Sequence, residues 1–150
     1  MSQIAPDFTL PATTGDDVTL SALRGAPVVL FFYPRDNTAG CTVEATDFTA
    51  LLPQFLGAGA QVFGISKDDM KSHARFTANK ALTVPLLSDA EGSACEDFGV
   101  WQEKKMYGKT FMGIVRSTFL IDANGQIARE WRKVKVADHA AEVLEALRAL

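Results

Sequence analysis

Apolar residues cluster in short runs and stripes whose spacing changes along the chain. Val28 to Tyr33 is an uninterrupted apolar run, short enough for a buried strand. Pro34 cannot continue a strand ladder, and Asp36-Asn37-Thr38 with Gly40 is loop chemistry. Phe48, Leu51, Leu52 and Phe55 then recur at helical spacing. Pro53 falls inside that stretch and predicts a kink or break near Leu51-Leu52, with Gly57 to Gly59 as the stop. Val62 to Ser66 is a second buried strand. A strand, a helix and a strand in this order make a right-handed βαβ unit with parallel strands.

The flanking segments are shorter. Phe8 to Leu10 and Val18 to Leu20 read as strands around a Gly15-Asp16 turn, followed by a helical turn at Ser21-Ala22-Leu23 that Gly25 ends. Asp68 or Asp69 caps a helix running to about Asn79. Leu86-Leu87 is a short strand. Ser88 and Glu91 have capping-box spacing and start a helix through Phe98, which Gly99 ends. Cys95 shares a face of it with Glu91, Ala94 and Phe98. Trp101 to Gly108 reads as a mixed, basic connection. Ser117 to Ile121 and Gln126 to Arg132 are strands joined at Asn124-Gly125, a strong hairpin signal. Ala140, Val143, Leu144 and Leu147 stripe a last helix. This order predicts an α/β fold, a central mixed β-sheet with helices on both faces, in one domain spanning residues 1–150.

Composition narrows the classes. The chain has 150 residues and a formal net charge of −3, with acids and bases interspersed, so nothing suggests a nucleic-acid surface. No apolar run approaches a membrane span, and MSQIAPDFTL has no signal-peptide pattern. Two cysteines do not make a disulfide scaffold, which points to a reducing compartment, the cytoplasm. His73 and His139 lack metal-ligand spacing and read as helix-surface residues. No metal or cofactor is expected.

Cys41 changes the picture most. It follows the polar loop, at what reads as the start of a helix, seven residues before Phe48 and on the same side. Its thiol therefore points into a partly enclosed spot. A first helical turn offers unpaired N–H groups and a positive dipole end, and both favour the reactive thiolate. The structural alternative, a small buried hydrophobe, fits poorly with so polar a preceding loop. By local pattern alone, Thr38 reads as a helix cap, and Arg116 and Arg35 as solvated.

Pro34, Thr38, Cys41 and Glu44 reproduce P-x-x-x-T-x-x-C-x-x-E, which resembles the active-site signature of the peroxiredoxins, thiol peroxidases on a thioredoxin-like fold. Arg116 in GIVRSTFLID resembles the second signature of that family. Lys104 to Lys109 (KKMYGK) and FGISKD after Val62 resemble its bacterioferritin comigratory protein, or PrxQ, branch. Ala39 stands where the branch usually has proline. Thr46 stands where many members carry a resolving cysteine, and Thr77 occupies the alternative resolving position.

The resemblance implies a cysteine that attacks a peroxide and becomes a sulfenic acid. Lowering the pKa of a thiol also lowers its nucleophilicity, with a slope of about 0.4–0.5 in thiol exchange. Donors aimed at the peroxide oxygens must therefore supply the larger effect. It implies that Thr38 and Arg116 are those donors, with the Cys41 N–H. Pro34 then shapes and shields the loop, and Glu44 orients Arg116. With Thr46 and Thr77 in the resolving positions, the expectation is a one-cysteine enzyme reducing hydrogen peroxide and organic hydroperoxides. The reductant is an external thiol, glutathione with glutaredoxin or thioredoxin, and the protein a monomer or weak homodimer. The rivals are a two-cysteine cycle through Cys95 and a redox sensor that does not turn over. No C-x-x-C exists for a disulfide reductase.

Overall fold

In the computed structural model, which describes residues 3–150, ten strands and four α-helices alternate along the chain. The strands are β1 (Gln3–Ile4), β2 (Thr9–Leu10), β3 (Val18–Thr19), β4 (Val28–Phe32), β5 (Gln61–Ser66), β6 (Leu86–Ser88), β7 (Trp101–Met106), β8 (Lys109–Ile114), β9 (Ser117–Ile121) and β10 (Gln126–Arg132). The helices are α1 (Ala39–Gly57), α2 (Met70–Lys80), α3 (Ala94–Asp97) and α4 (His139–Arg148), with a 3₁₀ turn at Leu20–Leu23.

Six strands form the central sheet in the order β1-β10-β9-β4-β5-β6. β4, β5 and β6 are mutually parallel neighbours, while β9 runs antiparallel to β4 and to β10. The sheet is therefore mixed, and β4-α1-β5 is the expected crossover unit. Side chains alternate across β4. Val29, Phe31 and Tyr33 face α1, α2 and α4, where Phe48, Phe55, Phe76 and Val143 complete one core. Val28, Leu30 and Phe32 face the other side, with Leu10, Leu20, Cys95 and Phe98. Burying both faces explains why β4 is apolar throughout instead of alternating.

Four local expectations are corrected. α1 runs unbroken through Pro53. Proline loses one helix hydrogen bond, but Phe48, Leu52 and Phe55 pack into one core on both sides of it. The Ser88–Glu91 capping box does not form. Ser88 ends β6, and α3 spans only Ala94–Asp97; Asp89 accepts from the Ala94 N–H at 3.0 Å and the Cys95 N–H at 2.8 Å instead. The segment read as a basic connection is a hairpin of β7 and β8. Its turn, Tyr107-Gly108, has two positive φ values, 54° and 75°, as a type I′ turn requires. Finally, neither histidine is on the surface. His73 and His139 are both buried and hydrogen-bonded.

Other expectations hold. Asp69 caps α2 by accepting from the Ser72 N–H, and β2 pairs with β3 across the Gly15 turn. β1 had no sequence signal; it adds two residues to the sheet edge against β10.

Candidate active site

The carboxyl ends of parallel strands are where such sheets build sites. β4 ends at Phe32 and is followed by the loop Tyr33 to Thr38. β9 is antiparallel to β4 and pairs Ser117 with Phe32, so the residue before β9 arrives at the same end. That residue is Arg116. Two segments more than 70 positions apart are thus joined by strand register alone.

Cys41 is the third residue of α1, within its first turn. Its side chain is buried, with 1% of its surface exposed. Arg116 Nη2 donates to Cys41 Sγ at 3.3 Å, and Nη1 donates to Glu44 Oε1 at 2.8 Å. Cys41 and Glu44 lie three residues apart on one helix face, so the planar guanidinium spans both. Gly40 permits this approach. A Cβ on Gly40 would stand 3.1 Å from Arg116 Nη2.

Glu44 is 1% exposed and Oε2 has no hydrogen-bond partner among the described residues. Burial pushes its carboxyl up to about 7, against the pull of Arg116 and with a small push from Asp47. Thr38 is the N-cap residue, but its side chain does not cap. Thr38 Oγ1 donates to the Arg35 carbonyl at 2.8 Å, leaving its lone pairs free to accept. The first helical bond runs from the Thr42 N–H to the Thr38 carbonyl, so the Cys41 N–H lies ahead of it. Pro34 and Arg35 line a cavity of about 310 Å³ with Trp101, Lys104, Phe111 and Ile114. The hairpin forms much of that wall, and it carried no sequence signal for a site.

Cys95 lies elsewhere. It is fully buried in the core on the opposite face of the sheet from Cys41. Burial and then the Asp89 carboxylate push its thiol far up, so it stays protonated. Both cysteines are free. Thr46 Oγ1 donates back to the Thr42 and Val43 carbonyls, and Thr77 Oγ1 is buried without a partner among the described residues.

Asp36, Asp68 and His73 are the one group of His, Cys, Asp or Glu side chains among the described residues close enough to share a cation, within 4.8 Å. Their facing atoms are all committed to protein partners. Asp36 takes Tyr33, Ser72 and His73; Asp68 takes Ser66 and the Asp36 N–H. The group is a closed hydrogen-bond network rather than a ligand shell.

The profile described as "AhpC/TSA family" matches residues 1–130. The chain belongs to this family. It is 50% identical over 143 residues to peroxiredoxin Bcp of Xanthomonas campestris pv. campestris, covering 95% of this chain and 89% of that protein. It is 46% identical to peroxiredoxin Bcp of Bacillus subtilis, covering 99% and 94%. Among solved structures, peroxiredoxin Q of Xanthomonas campestris superposes with a TM-score of 0.90 at 49% identity, covering 95% and 90%. A structure of the bacterioferritin comigratory protein from that organism, described in terms of alkyl peroxide reduction, gives 0.89 at 48%, also covering 95% and 90%. This chain is therefore a thiol-dependent peroxidase on the thioredoxin-like fold, of the PrxQ branch. No helix among the described residues is long and apolar enough to cross a membrane.

Proposed function

We propose that this peroxiredoxin reduces hydrogen peroxide and organic hydroperoxides at Cys41 by a one-cysteine cycle, with Thr38, Arg116 and Pro34 completing the site. The observation that carries this reading is the Arg116 fork. One arm lies 3.3 Å from Cys41 Sγ and the other is tied to Glu44 at 2.8 Å. A guanidinium so fixed stabilises the thiolate and has donors left for the oxygen that departs.

The Cys41 thiolate attacks one peroxide oxygen. The S–O bond forms as the O–O bond breaks. The attacked oxygen keeps its hydrogen and becomes the sulfenic acid, and the departing alkoxide or hydroxide takes a proton from solvent water to leave as alcohol or water. Arg116 and the Cys41 N–H receive the developing charge, while Thr38 Oγ1 accepts from the peroxide O–H. The resulting sulfenic acid condenses with an external thiol, releasing water and forming a mixed disulfide. A second thiol exchanges with that disulfide and restores Cys41. Trp101, Phe111 and Met112 give the neighbouring cavity an apolar wall suited to an organic substituent, and Arg35 and Lys104 a cationic one.

The reductant is glutathione with glutaredoxin, or thioredoxin. Two free cysteines fit a reducing compartment, the cytoplasm. The protein is proposed to act as a monomer or weak homodimer. Stopped-flow peroxide consumption by the wild type and Cys41→Ser tests the reading. Loss of reaction in the variant, with turnover of the wild type in glutathione and glutaredoxin or in thioredoxin, is expected. Retained activity in Cys41→Ser contradicts it, and a single stoichiometric oxidation with every thiol contradicts the cycle.

A further inference from the structure

His73 sits on α2, fully buried, and both ring nitrogens are engaged. Nε2 is 2.8 Å from the Leu87 carbonyl and Nδ1 is 2.7 Å from Asp36 Oδ2. A carbonyl only accepts, so Nε2 carries a hydrogen. Asp36 already accepts from the Tyr33 hydroxyl at 2.6 Å and the Ser72 hydroxyl at 2.8 Å. An ionised Asp36 only accepts as well, so Nδ1 must also carry a hydrogen. A neutral ring with Nε2–H would instead aim a lone pair at a carboxylate oxygen inside the protein. The contacts close only if the pair holds one proton more than neutral imidazole plus carboxylate.

Asp36 belongs to the loop that begins with Pro34 and Arg35 and ends in Thr38. Its backbone N–H is also held, by Asp68 Oδ2 at 2.9 Å, and Asn37 next to it has a φ of 60°. That polar loop is anchored to α2 through the His73 ring and the Ser72 hydroxyl, and to the β6 carbonyl of Leu87 through the ring alone. We propose that His73, held as an imidazolium between Asp36 and the Leu87 carbonyl, is a positioning residue for the loop that carries Pro34 and Thr38. Removing its Nδ1 proton then loosens that loop, leaving Asp36 held by Tyr33, Ser72 and Asp68. The inference rests on the peroxidase reading only for its effect on rate.

The charged groups facing His73 are Asp36 from the loop and Asp68 from the β5–α2 turn, with the Tyr33 hydroxyl behind Asp36. Burial disfavours the ring charge, but Asp36, the Leu87 carbonyl and Asp68 outweigh it and hold His73 above its ordinary 6.5. Its raised folded value means the tie is at full strength below pH 6.5 and is lost as pH rises through that value.

The chain has two histidines, and burial pushes His139 down, which separates the two signals. The test is a pH titration of histidine-labelled protein by ¹⁵N NMR, alongside the peroxide rate normalised to the Cys41 thiolate. Below pH 6.5 both His73 nitrogens should show protonated shifts, with a midpoint above that value. On raising the pH, the amide signals of Arg35 to Thr38 should move with the His73 midpoint, and the normalised rate should fall about tenfold over the same range. In Asp36→Asn the amide can donate to Nδ1, so His73 should be neutral at neutral pH. Whatever its absolute rate, that variant should show a flat profile.

A His73 midpoint at or below 6.5 in the wild type, or an unprotonated ring nitrogen below that pH, overturns the assignment. So do loop shifts and a rate that ignore the His73 titration. The wild-type titration decides the imidazolium even if the variant does not fold. If the protein consumed no peroxide at any pH, the peroxidase reading would fail, while the nitrogen and loop signals would still decide the role of His73.

Discussion

Cys41 and Cys95 lie on opposite faces of the central sheet, each in a different hydrophobic core. A disulfide needs Cα atoms within about 7 Å and side chains that face each other. Joining these two would require α1 or α3 to leave its core. The Cys95 thiol is also held protonated by burial and Asp89, so it is a poor nucleophile towards a sulfenic acid. Cys95→Ala should therefore retain turnover with external thiol and lose about 1 kcal/mol of stability from reduced packing. Normal first oxidation followed by complete loss of turnover would identify Cys95 as resolving.

Arg116 and Thr38 are expected to act on the transition state and not only on the sulfur. Arg116→Met should lower the rate constant per Cys41 thiolate by about 10²- to 10³-fold, the usual loss for one donor to a developing anion. Thr38→Val, which removes an acceptor for the peroxide O–H and its tie to the Arg35 carbonyl, should lower it by about tenfold. The measurement is stopped-flow with the thiolate fraction determined separately. An unchanged rate per thiolate in both variants would reduce them to structural support.

Gly40 supplies a separate test of the same geometry. A methyl group there would meet Arg116 Nη2 at 3.1 Å, tighter than ordinary contact. Arg116 is already fixed by Glu44 and Cys41. Gly40→Ala should displace the guanidinium by a few tenths of an ångström and slow peroxide attack by about tenfold, with little loss of helix stability. A rate equal to the wild type would show that the Arg116 position is not critical.

Glu44 titrates in an unusual range because of burial. Its carboxyl rises from 4.5 to about 7 on folding. The folded state thus favours the protonated form, and its stability falls as pH rises from the unfolded to the folded value. Glutamine does not titrate. Relative to Glu44→Gln, the wild type should lose about 3 kcal/mol over that window, by urea unfolding at about pH 4.5 and about pH 8. A difference independent of pH would mean that the buried carboxyl stays ionised throughout.

Much of this was legible in the residue pattern. The apolar run of β4, the helical stripe of α1 and the placement of Cys41 in a first turn all follow from burial on a known period. What was hidden depends on long-range pairing or on a missing core face. β7 and β8 were hidden because the hairpin projects outward, with Tyr107 97% exposed, and so shows no alternation. Its turn uses Tyr107 at positive φ in place of the asparagine that would have marked it. His73 looked like a surface residue because its partner, Asp36, is 37 positions away in a stretch that reads as loop. The closeness of Arg116 to Cys41 could not be read from spacing. It follows from the antiparallel register of β9 on β4, and in the sequence only the family resemblance pointed to it.

The central claim is that oxidised Cys41 has no partner within the chain. Its most direct test is the intact mass of reduced protein, taken promptly after one equivalent of hydrogen peroxide with no thiol added. A product heavier by one oxygen, reactive with a sulfenic-acid trap and free of internal disulfide, is expected. Glutathione should convert it to a mixed disulfide, and excess peroxide should carry it on to the sulfinic acid. A prompt product lighter by two hydrogens, with Cys41 joined to Cys95 by peptide mapping, would contradict the one-cysteine cycle.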